Sequence, residues 1–131
     1  MNDEKRKDLI DMTEVKLRRA YDEKGKDDGY RVLVDRLWPR GIKKEELAFS
    51  WWPKNIAPST DLRKSFNHEE DQFESFKENY KKELESNSLK EEFLDKISTQ
   101  LKKHNVTLVY GAKDKKHNQA VVLKEWIKEK L

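Results

Sequence analysis

Two five-residue runs, YRVLV at residues 30–34 and VTLVY at 106–110, constrain the fold more than anything else in the sequence. Both are strand-length and β-branched, and Val32-Leu33-Val34 reads as a strand covered on both faces. A third run, VKLRRAY at 15–21, alternates apolar with basic residues, which predicts a half-buried strand with Val15, Leu17, Arg19 and Tyr21 on one side. The link DEKGKDDG at 22–29 is punctuated by Gly25 and Asp28-Gly29 and is too short for a crossover helix. By pattern alone, the first two strands therefore form a hairpin.

Helical periodicity fills the rest. Phe73, Phe76, Tyr80 and Leu84 step by three, four and four behind an Asn67 to Glu70 capping box. Leu89, Phe93, Ile97 and Leu101 step by four behind a second box, Ser88 to Glu91. Residues 118–130 predict a last helix that buries Ala120, Leu123, Trp126 and Ile127. After Pro58, Ser59 or Thr60 caps a short helix through Phe66. KKEELAF at 43–49 predicts a helical turn or two, and WWPKNIAPST at 51–60 an aromatic-rich irregular loop over the surface. Strands followed by helices give an α/β class: a small few-stranded sheet with helices packed on it. The expected organisation is a flexible N-terminus over 1–14 and a single α/β domain over 15–131.

Composition narrows the function classes. Thirteen aromatics in 131 residues are too many for a disordered chain. The absence of cysteine removes disulfides, thiolate nucleophiles and Cys-ligated zinc. His68, His104 and His117 have no paired ligand spacing, so neither a metal nor a cofactor is expected. No apolar run approaches the roughly 18 residues of a membrane span, and MNDEKRKDLIDM has no apolar signal core. The expected location is cytoplasmic, away from membranes.

Charge is unevenly placed. Residues 67–95 hold ten acidic side chains against four lysines, a net −6, which leaves +9 elsewhere in a chain whose total is +3. Positive charge therefore gathers on the strands and the loops that follow them.

The most informative of those loops is DRLWPRG at 35–41, directly after the buried strand. In parallel α/β sheets ligands bind outside the carboxyl ends of the strands, where Asp35-Arg36 and Gly111 to Asp114 would sit. A carboxylate there needs a partner, and guanidinium groups offer paired donors that match phosphate or carboxylate. Asp35 and His117 are the candidates for proton transfer, and Arg36, Arg40 and Arg63 for an anion clamp, with Lys113 beside the last helix start. Ser59 and Asn118 would orient the ligand. Tyr110, with Trp38, Trp51 and Trp52, could stack on a ring. The plainer reading is that Asp35 ties down its loop, His117 braces its own, Ser59 caps its helix and the aromatics pack. No Gly-x-Gly-x-x-Gly, Walker loop or Gly-x-Ser-x-Gly is present.

DGYRVLVDRLWPRG (28–41), IAPSTDLRKSF (56–66) and VTLVYGAKDKKHNQAVVL (106–123) together resemble the YeaO-like branch of the domain of unknown function 488 family. The resemblance runs nearly throughout from about Val15. It implies a compact α/β fold in which Asp35, Arg36, Arg40, Ser59, Arg63, Tyr110, His117 and Asn118 occupy motif positions, and it supplies no activity. Other branches carry a Cys-His-Arg element near the last strand. Here Lys116-His117-Asn118 stands in its place, so thiol chemistry does not carry over.

The expectation is a polar, anion-accepting pocket at the strand ends for a phosphate-bearing small molecule, with hydrolase or transferase chemistry left open. The alternative is a nucleic-acid-binding or regulatory module using the basic strand-end surface. A third reading pairs the acidic helical face with the basic end in a homo-oligomer, and the oligomeric state stays open.

Overall fold

The computed structural model describes residues 13–66 and 69–131. Three parallel strands form the sheet: β1 (Val15–Arg19), β2 (Tyr30–Leu33) and β3 (Val106–Tyr110), in the order β1-β3-β2. Val15 and Tyr30 both pair with Val106, so the two outer strands start level on either side of β3. Helices α1 (Thr60–Phe66), α2 (Phe73–Glu85), α3 (Lys90–Leu101) and α4 (Gln119–Lys130) complete the α/β fold. The expected flexible N-terminus lies outside the described residues except for Thr13 and Glu14, which bond to the Leu101 carbonyl and the Asn105 side chain.

The expected hairpin is wrong: β1 and β2 are parallel to β3 and do not pair with each other. Ten residues separate them, enough to return along a short strand without a helix, since each extended residue reaches roughly 3.3 Å. The return is fixed by charge. Asp28, completely buried, takes Arg18 Nε at 3.0 Å, the Gly25 amide at 2.9 Å and the Arg31 guanidinium. Arg31, 3% exposed, also donates to the Ala48 carbonyl at 2.6 Å. The loop is tied to the head of β3 as well, through Thr107 Oγ1 to the Asp28 carbonyl (2.7 Å) and Asn105 Nδ2 to the Asp27 carbonyl (2.9 Å). Gly29 permits this docking. Its φ is +63°, and a Cβ there would collide with the Asn105 carbonyl.

Strand alternation sends the sheet's two faces to different covers. Val32, Val34, Val106, Leu108 and Tyr110 join the large core with the helices, where Phe66, Phe73, Phe76 and Tyr80 form a continuous aromatic file. Leu33 and Val109 face Leu47, Trp38, Phe49 and Trp52 of the long loop. Val32, Leu33 and Val34 are consequently all fully buried, as the apolar run predicts.

That loop is more ordered than its composition suggests. Trp51 makes an isolated parallel bridge to Val32, so the start of WWPKNIAPST runs beside β2, and Lys54–Ile56 forms a 3-10 turn. KKEELAF makes turns rather than the expected helical turn or two, because Leu47 and Phe49 are drawn down onto the sheet.

The α2 and α4 helices bury the faces their periodicity predicts. The Ser88 capping box does not form. Asn87 Oδ1 takes the Leu89 amide at 2.8 Å, and α3 starts at Lys90. The short Asn amide reaches a neighbouring N–H in a turn and displaces the serine from that role. The other box depends on Asn67, which with His68 lies outside the described residues.

Candidate functional site

A concavity of about 360 Å³ opens at the carboxyl ends of the strands, lined on one side by Asp35, Arg36 and Arg40 and on the other by Arg63 of α1. Asp35 follows the end of β2 and reaches across to β3. Its Oδ2 accepts from the Gly111 amide at 2.9 Å, its Oδ1 accepts from Gln119 Nε2, and its carbonyl accepts from Trp52 Nε1 at 2.7 Å. Burial pushes the Asp35 carboxyl up to about 6, outweighing the Gly111 N–H, the Arg63 charge and Gln119, which act the other way.

Arg36 reaches the loop ahead of α1, with Nε on the Pro58 carbonyl and Nη2 on the Ala57 carbonyl, each at 3.0 Å. Two of its five N–H donors are used in this way, so its charge is held in place while donors remain for a ligand. Arg40 is exposed, and its carbonyl accepts from Tyr21 Oη at 2.7 Å. Arg63 is exposed on α1.

Of the remaining sequence candidates, Trp38 also lines the concavity and the others lie elsewhere. Ser59 caps α1: its Oγ accepts from the Leu62 amide at 3.2 Å and donates to Glu83 Oε2 at 2.6 Å, while its amide donates to Glu83 Oε1. Asn118 is fully buried at the head of α4, where it accepts from the Val121 amide and donates to the Asp114 carbonyl. His117 does not line the concavity. Its Nδ1 lies 2.9 Å from Asp114 Oδ2, its Nε2 3.6 Å from Glu70 Oε1, and its ring meets Phe73 edge-on. Asp114 is held below the usual carboxylate range by the Lys116 and His117 amides and then by the His117 ring. Tyr110 is 2% exposed and its hydroxyl is pushed up by burial, so it belongs to the core. Lys113 is exposed on the loop before α4. Trp51 and Trp52 pack against Phe93 and Trp38 respectively. Among the described residues, no three His, Cys, Asp or Glu side chains gather as a metal would require.

Sequence reading did not single out Tyr21 and Gln119, which also line the concavity, and it placed Gly111 only as a strand-end position. Gln119 is the first residue of α4, immediately after its cap, a place where a polar side chain reads as a helix start. Gly111 brings the β3 backbone against Asp35, and a Cβ there would stand 2.8 Å from Asp35 Oδ2. Gly111→Ala is accordingly expected to push the carboxylate off the amide. Denaturant unfolding should show a loss of about 1 kcal/mol, and an NMR titration should show the Asp35 midpoint raised further.

The sequence profile of the inactive DUF488-N3 subclade matches residues 14–131. The chain belongs to that subclade. "Uncharacterized protein YeaO" of Escherichia coli (strain K12) is 45% identical over 114 residues, covering 87% of this chain and 96% of that one. "Uncharacterized protein Rv3073c" of Mycobacterium tuberculosis (strain ATCC 25618 / H37Rv) and "Uncharacterized protein Mb3100c" of Mycobacterium bovis (strain ATCC BAA-935 / AF2122/97) are each 41% identical over 76 residues, which is 58% of this chain and 64% of theirs. No solved structure matches the chain. No described helix is long and apolar enough to cross a membrane. The DUF488 assignment thus agrees with the resemblance read from residues 28–41, 56–66 and 106–123.

Proposed function

We propose that this DUF488 protein is a binding module for a phosphate-bearing or otherwise anionic small molecule, taken up in the concavity by Arg36, Arg40 and Arg63. The observation that carries the reading is the convergence of three arginines, from two separate elements, on one cavity at the carboxyl ends of a parallel sheet. A cavity that gathers like charges costs stability unless a counter-charge enters it, and Asp35 supplies only one.

Binding without turnover is the version that the geometry favours. Asp35 is occupied by an amide and a glutamine, and His117 faces Asp114 and Glu70 rather than the cavity. The two expected proton-transfer groups therefore do not converge on one ligand position. The description of the subclade as inactive points the same way.

Arg63→Ala is the cleaner test variant, since Arg36 also braces residues 57–58. Phosphate at about a hundred times its dissociation constant should stabilise the wild-type protein by roughly 2.7 kcal/mol, several degrees in midpoint. Arg63→Ala should lose most of that shift while melting close to wild type without phosphate. An equal shift in both proteins would remove the cavity from the account.

A nucleic-acid partner is the second reading, favoured by the exposed Lys43, Lys44, Lys113 and Lys116 on the loops after β2 and β3. It requires oligonucleotide binding whose affinity falls steeply with salt.

A further inference from the structure

The described residues expose three large hydrophobic side chains: Tyr21 (44%), Leu37 (64%) and the terminal Leu131. Two of the three line the arginine concavity. A site meant only for a bare, strongly hydrated anion gains nothing from apolar surface held open to water beside its cations. Such surface is commonly retained where a ligand covers it.

Tyr21 is also held still. Its hydroxyl donates to the Arg40 carbonyl at 2.7 Å, and the Arg19 guanidinium sits over its ring, 4.5 Å from the centroid. Arg19 is fixed in turn by Nε donation to the Ala112 carbonyl at 2.9 Å. An aromatic ring anchored at its hydroxyl and at one face, and nearly half exposed, is a preorganised stacking platform that loses little entropy on binding. Phe66, Phe76, Pro39 and Pro58 continue the apolar lining.

The floor adds a third element. Gln119 spends one N–H on Asp35, and each Asp35 oxygen accepts one bond, which leaves the second Gln119 N–H, its carbonyl and a lone pair on each carboxylate oxygen for the hydrogen-bonding edge of a nucleobase. The cavity's volume of about 360 Å³ is of the order of a small ligand site.

Resting on the anion-binding reading above, we infer that the ligand is a nucleoside monophosphate. Its phosphate meets Arg36, Arg40 and Arg63, and its base stacks on Tyr21 within reach of Asp35 and Gln119.

The test is isothermal titration of the full chain with inorganic phosphate, phenyl phosphate and the four common ribonucleoside monophosphates, repeated with Tyr21→Ala and Arg63→Ala. At least one nucleotide is expected to bind ten or more times tighter than phosphate, the scale of one base stacked on an aromatic ring. Tyr21→Ala should shrink that ratio to about threefold or less, whereas Arg63→Ala should weaken phosphate and nucleotide alike. Nucleotides no tighter than phosphate, with phosphate still dependent on Arg63, would overturn this inference and leave the anion site standing. Phenyl phosphate equal to every nucleotide would reject the nucleoside and retain only a ring. Binding by none of them would overturn both readings.

Discussion

Asp28→Ala is expected to lower the free energy of unfolding by about 3–5 kcal/mol, a large share of the 5–15 kcal/mol that holds a typical domain together. The substitution leaves the Arg31 guanidinium buried with its charge uncompensated and only the Ala48 carbonyl to receive it. It also frees the Gly25 amide and Arg18, so the loop that returns β1 to β2 loses its anchor. Burial alone would raise the Asp28 carboxyl. The Gly25 amide, Arg18 and Arg31 outweigh it and hold the group below the ordinary 3.8. Arg18→Ala is the control, because its side chain is 27% exposed and can be hydrated, and its loss should cost about 1 kcal/mol. Urea denaturation of the two variants checks the ordering. A loss under 1 kcal/mol for Asp28→Ala would mean that the triad does not fix the crossover.

Asp35 gives the second large effect, with the opposite sign. Its folded-state value of about 6 lies above its ordinary 3.8, so the folded chain binds this proton more tightly than the unfolded chain does. Stability contributed by this group therefore rises as pH falls from about 7 through 6 toward 4, by up to about 3 kcal/mol once the shift of about two units is complete. Asp28, Glu85, Asp114 and Glu125, all held low, act in the reverse direction, and their contribution is lost as pH falls through and below their ordinary 3.8 to 4.5. Stability measured between pH 7.5 and 5 should accordingly increase toward acid, and Asp35→Asn should flatten that rise. Ligand affinity should follow the same course. Sulfate, whose charge is constant over this range, should bind several times tighter at pH 5 than at pH 7.5, because protonation removes the one negative charge among the three arginines. A wild-type profile as flat as that of Asp35→Asn would contradict the raised Asp35 carboxyl.

The elements were legible in the sequence because period two and period 3.6 report burial directly, and Val32-Leu33-Val34 or Phe73 to Leu84 admit few other readings. The strand order was not. DEKGKDDG reads as turn chemistry, and nothing local tells that Asp28 closes a buried cluster with arginines from two different strands. The site divides in the same way. Asp35, Arg36, Arg40 and Arg63 were visible because a charged group at a strand end or in an early helical turn has few structural uses. Ser59, His117 and Asn118 share those positions, yet the backbone and neighbouring carboxylates occupy them. Tyr21 and Gln119 were missed for the converse reason: each fits its local pattern, one as strand alternation and one as a helix start. Only the three-dimensional approach of β1 and α4 to the end of β2 brings them to a common cavity.

Occupancy of the arginine cavity by an anion is read by two-dimensional NMR of the ¹⁵N-labelled chain titrated with phosphate, observing backbone amides and arginine Nε–H groups together. Saturable shifts are expected at Arg36, Arg40, Arg63, Gly111 and Gln119, with one common dissociation constant that Arg63→Ala weakens at least tenfold. Shifts that fail to saturate, or that spread equally over exposed lysines such as Lys43, Lys113 and Lys124, would contradict it.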